Sequence, residues 1–111
     1  MIRPSKVKRA RIKVKAKVSL VKVAYNDLFK AVKEAVNLLG GMGRFVKQGD
    51  RVLVKVNMFL PAPAPPERIT DPRVAVAVAK LAHEAGGEVT VVERTHWIYE
   101  HLRAYPEIYH Y

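Results

Sequence analysis

Lys55, Asn57, Thr70 and His96 are the residues of this 111-residue sequence whose types could hold an anion. An ammonium, an amide and the N–H groups of a helix start suit a phosphate or a carboxylate. Glu93 and His96 also have the chemistry of an acid–base pair. Each has a plainer alternative. Lys55 is then a surface cation, Asn57 a turn former, and Thr70 and Asp71 simple helix caps. Glu93 and His96 become a strand-end charge and a surface imidazole. His96 and His101 stand five apart, not at the four-residue spacing of a helical zinc pair, and His83 and His110 lie elsewhere, so no metal site is expected. The sequence has no cysteine. That excludes disulfides, thiolate nucleophiles and cysteine-held zinc or iron–sulfur centres within this chain. No cofactor of its own is expected, and an iron–sulfur centre could come only from a partner. No nucleophile elbow, P-loop or dinucleotide fingerprint is present. Gly40-Gly41-Met42-Gly43 follows a helical stretch instead of joining strand to helix, which makes it a cap and turn, not a phosphate cradle.

The net charge of +10 is concentrated at one end. Arg3, Lys6, Lys8, Arg9, Arg11, Lys13, Lys15, Lys17 and Lys22 precede the first acid, Asp27. The first eight of these form a second candidate site, one that would track the phosphate backbone of RNA or DNA. The segment has no aromatic residue to stack on bases, so non-specific contact is the form expected. A solvated basic arm is the plain alternative.

The elements that would position these residues follow from periodicity. Residues 1–10 read as a basic flexible arm and 11–111 as one α/β domain. Ile12, Val14, Ala16, Val18 and Leu20 alternate with Arg11, Lys13, Lys15, Lys17 and Ser19, the period of a half-buried strand with one cationic face. Asn26 or Asp27 caps a helix with Leu28, Val32, Ala35, Val36 and Leu39 on one stripe, ended by Gly40-Gly41. Arg51 to Asn57 is a second strand. Pro61 to Pro66 is an exposed extended loop. Asp71-Pro72 opens a second helix with Val74, Ala75, Val78, Leu81, Ala82 and Ala85 on its apolar stripe. Glu88 to Glu93 is a third strand, and Trp97 to Ala104 a short last helix. The order implies a three-layer-type βαβαβ core with a mainly parallel sheet, plus the short C-terminal helix. The N-terminal strand can lie between the other two or outside them. Ligands of open parallel sheets bind beyond the carboxyl ends of the strands, which groups Lys55, Asn57, Thr70 and His96 at one edge.

The stretch from Gly40 to Asn57 (GGMGRFVKQGDRVLVKVN) resembles the N-terminal part of the family catalogued as domain of unknown function 362. Val18 to Val23, Thr70-Asp71-Pro72 and Glu84 to Val89 support the resemblance in order and spacing, so that it covers roughly residues 18–95. Members are typically much longer, and many are linked to ferredoxin-type iron–sulfur segments, which implies redox work. Val56 stands where the family has proline, and Arg94-Thr95-His96-Trp97 replaces a glycine-rich turn. The resemblance implies a partial relative that binds an anionic ligand or a protein partner and is not catalytic alone. The partner would supply the missing part of the domain. A basic nucleic-acid-associated protein is the alternative.

The aromatic stretch from Trp97 to Tyr111 is either a packed helix or a contact between copies in a homo-oligomer. No apolar run approaches the ~18 residues of a membrane helix, so the expectation is a cytoplasmic protein with no membrane partner. Few Asn and Gln among many Lys, Arg and Val give a thermophile-like composition.

Overall fold

The computed structural model describes residues 15–23, 26–94 and 97–105. Among the described residues the elements follow in the order α1 (Leu28–Leu38), β1 (Arg51–Lys55), α2 (Pro72–Glu84), β2 (Glu88–Val92) and α3 (Trp97–Leu102), with 3-10 turns at Met42–Arg44 and Pro66–Arg68.

Strands β1 and β2 form a parallel two-stranded sheet in which Arg51 stands opposite Glu88, Leu53 opposite Thr90 and Lys55 opposite Val92. Parallel neighbours need a crossover, and α2 supplies it. The alternation of β1 decides which face meets α2. Val52 and Val54 turn inward while Arg51, Leu53 and Lys55 stay exposed. Val89 and Val91 do the same from β2.

Helix α2 begins where expected. The Asp71 side chain accepts from the Arg73 N–H at 2.9 Å, and Pro72 occupies the first turn, where a missing N–H costs nothing. Its sheet-facing residues are small: Ala75, Ala79 and Ala82 are each at most 2% exposed. One cluster joins Ala79 and Ala82 to Val46 and Val89; another joins Ala75 to Val56, Met58, Ile98 and Leu102. Helix α1 packs on α2 and is capped by Asp27, whose carboxylate accepts from the Lys30 N–H at 3.1 Å. Among the described residues, α2 is thus buried on two sides and the sheet is covered on one.

The expected N-terminal strand is not formed over the described part of that segment. Residues 15–23 have no strand assignment, and Val18 and Leu20 are 87% and 93% exposed. Alternation alone makes no strand: the ladder bonds and the cover for the apolar face must come from a neighbour. Residues 11–14 lie outside the described residues. The β1–β2 ladder also excludes the order that would insert the N-terminal strand between them. The fold is therefore mixed α/β with a two-stranded parallel sheet. Among the described residues no helix is long and apolar enough to cross a membrane.

The turn between α2 and β2 is tight. Gly86 adopts φ +99°, and a Cβ there would lie 2.9 Å from the backbone Cα of Gln48. A Gly86→Ala variant should lose about 1–3 kcal/mol of stability in urea unfolding. Gly43→Ala, with nothing within 4 Å of its added Cβ, should stay within about 0.5 kcal/mol. Equal losses would remove the steric account of this turn.

Candidate functional site

The carboxyl ends of β1 and β2 and the start of α2 meet at one edge, as the sheet rule requires. Beyond β1 the chain continues through Val56, whose N–H donates to the Val92 carbonyl at 3.1 Å. Asn57 and Thr70 then bind each other twice. The Asn57 N–H donates to Thr70 Oγ1 at 2.8 Å, and the Thr70 N–H donates to the Asn57 carbonyl at 2.7 Å. This pair closes the base of the proline-rich loop. Thr70 thus acts through both its hydroxyl and its backbone N–H, one residue before the Asp71 cap.

Lys55 points to Glu93. Its Nζ lies 3.1 Å from Glu93 Oε1 and also donates to the Val56 carbonyl. The Lys55 side chain is 60% exposed, whereas that of Glu93 is 6% exposed. The other Glu93 oxygen accepts from the Met58 N–H at 3.1 Å, and Oε1 accepts from the Arg94 N–H at 2.6 Å. The Arg94 and Met58 N–H groups, with the Lys55 ammonium, hold the Glu93 carboxyl below its usual range. Glu93 itself fills the role of the anion at this edge.

The four residues of the anion hypothesis therefore divide. Lys55, Asn57 and Thr70 share the edge, but Lys55 is paired with a carboxylate and Thr70 Oγ1 with a backbone N–H. His96 lies outside the described residues. The basic candidates divide as well. Lys15 and Lys17 are exposed and carried on no strand. Arg3, Lys6, Lys8, Arg9, Arg11 and Lys13 lie outside the described residues.

Two features escaped the sequence. His101 is 7% exposed, and its Nε2 lies 2.6 Å from the Leu60 carbonyl. A carbonyl only accepts, so Nε2 carries the hydrogen of this bond. Glu100 Oε2 accepts from the Ala62 N–H at 3.3 Å. Helix α3 thereby anchors the proline-rich loop, through residues whose only sequence signal is their nearness to an apolar stripe. The second feature is a cavity of about 530 Å³ between α1 and α2, lined by Asp27, Phe29, Arg73, Lys80 and Tyr105 among others. Lys80 lies over the Phe29 ring at 5.9 Å. Arg73 pairs with Asp71 at 2.7 Å, and that bond is the main cause of the lowered Asp71 pKa.

An iron–sulfur cluster does not fit this chain's own residues, because cysteine thiolates hold such clusters and the sequence has none. Among the described residues no group of three or more His, Asp or Glu comes together to hold a metal ion.

The chain is 48% identical over 62 residues to a thylakoid-associated protein of Synechocystis sp., a match covering 56% of this chain and 19% of that protein. The chain thus spans about a fifth of that relative's length. No family model matches the chain. No solved structure matches it.

The lowered pKa values of Glu93 and Asp71 set the sign of an acid response. A carboxylate with a folded-state pKa below its unfolded value contributes stability in full above the ordinary range. That contribution drains away as pH falls through the depressed value. The urea midpoint should stay level from about pH 7 to about pH 5 and fall below about pH 4. Glu93→Gln should lower the midpoint at neutral pH and flatten the acid limb. An acid limb identical to that of the parent chain would mean that Glu93 does not tie the strand ends together.

Proposed function

We propose that this chain is a partial relative of the family catalogued as domain of unknown function 362, that it is not catalytic alone, and that it works by docking a protein partner on the open face of its sheet. The observation that carries the proposal is the exposure of Leu53. It is 70% exposed in the middle of β1, between exposed Arg51 and Lys55, with exposed Glu88 and Thr90 on the neighbouring strand. Parallel sheets are almost always covered on both faces. Here α2 covers one.

Of the two occupants that the sequence suggests, a protein partner is favoured over an anionic ligand. Glu93 already takes the donors at the strand ends, and its charge opposes a second anion. The thylakoid-associated relative bears on which partner that is. That relative's association with a thylakoid favours a partner held near a membrane. The link to redox work rests on the family resemblance, and any iron–sulfur centre would belong to the partner.

The test is co-expression of this chain with the unmatched part of the thylakoid-associated relative as a separate polypeptide. A stable complex should form and protect the amides of β1 from exchange. Leu53→Glu should abolish it while changing the stability of the chain alone by less than about 0.5 kcal/mol. A complex insensitive to Leu53→Glu, or no complex, would count against the open face as the docking surface.

A further inference from the structure

The segment before α1 carries a feature that the sheet face does not explain. Lys15, Lys17, Lys22, Val18, Leu20 and Val23 are all exposed, Val18 and Leu20 almost completely. Scattered exposed aliphatics need no explanation, but these two share one face of an alternating run and are flanked by cations. No acid precedes Asp27, so nothing within the segment neutralises it.

We propose that residues 15–23 are a surface for an anionic lipid bilayer. The two halves of the pattern match the two layers of such a surface. Lysine ammonium groups, on flexible stems that let them reach outward, meet the headgroup phosphates. Val18 and Leu20 enter the boundary between headgroups and acyl chains. Adsorption of this kind needs no spanning helix. It revises the expectation of no membrane partner, which concerned spanning segments. A nucleic acid explains the cations but leaves the aliphatics in water. It would also want aromatic residues for stacking, and residues 1–23 contain none. The pattern therefore favours lipid over RNA or DNA.

The experiment is sedimentation of the full chain with vesicles of phosphatidylcholine alone and of phosphatidylcholine mixed with phosphatidylglycerol, at low and at physiological salt. Partition should be at least about tenfold stronger on the anionic vesicles and should weaken with salt. Lys15→Gln/Lys17→Gln/Lys22→Gln should reduce it about tenfold or more. Val18→Asn/Leu20→Asn should reduce it about fivefold while leaving every charge in place. Both sets of positions are exposed, so unchanged circular dichroism and melting should accompany the losses. Binding unaffected by Val18→Asn/Leu20→Asn would overturn the proposal. So would a chain that binds duplex DNA or RNA but ignores the anionic vesicles. Absence of vesicle binding at low salt would overturn it too.

Discussion

The closeness of α2 to the β1–β2 ladder is the constraint on which the other features depend. Three alanines, Ala75, Ala79 and Ala82, face the strands, and side chains of that size let a helix backbone lie low on a sheet. The turn that follows is fitted to the same spacing. A Cβ at Gly87 would lie 2.9 Å from both Val46 Cγ1 and Val52 Cγ2 and 3.0 Å from the Ala82 carbonyl. The low seat brings the start of α2 to the end of β1, where Asn57 and Thr70 exchange their two hydrogen bonds. It also leaves room above Ala75 for Met58, which is fully buried with Ile98 and Leu102.

Glu93 is the electrostatic counterpart of that packing. A carboxylate with a side chain 6% exposed needs donors close by, and it has an ammonium and two backbone N–H groups. Through the Met58 N–H it ties the chain beyond β2 to the chain beyond β1, across 35 residues. Lys55 satisfies Glu93 from the exposed side while its own stem remains on the open face. The strand ends are consequently a closed polar knot. Leu53, and Val18, Leu20 and Val23 within residues 15–23, are exposed outside that knot.

Much of the architecture is legible in the sequence because it is encoded locally. Asp71-Pro72 marks the start of α2, Gly40-Gly41 and Gly86-Gly87 mark the ends of the two long helices, and valine alternation marks β1 and β2. The adjacency of Lys55, Asn57 and Thr70 follows from the sheet rule alone. What local pattern does not carry is the identity of each partner. The pairing of Lys55 with Glu93, and the bond from His101 to Leu60, arise from elements 38 and 41 residues apart that meet only after folding. The strand expected from Arg11 onward is not formed over its described part, residues 15–20, for the same reason. Its alternation states which face would be buried but not against what, and residues 15–23 have no ladder partner among the described residues.

The two open surfaces differ in chemistry, and that difference argues for different occupants. Around Leu53 the charges are of both signs, with Arg51 opposite Glu88 on the adjacent strand and Lys55 two residues beyond Leu53. A face of mixed charge around an aliphatic centre suits another polypeptide, whose own charges can be matched pair by pair. Residues 15–23 offer cations of one sign beside aliphatics. No single protein surface is needed to match that arrangement. A continuous anionic layer with an apolar interior does so wherever it is met. Docking on the sheet depends on register and shape, whereas adsorption through the basic segment depends on charge density and salt. A chain with both surfaces can hold a specific partner while resting on a non-specific one.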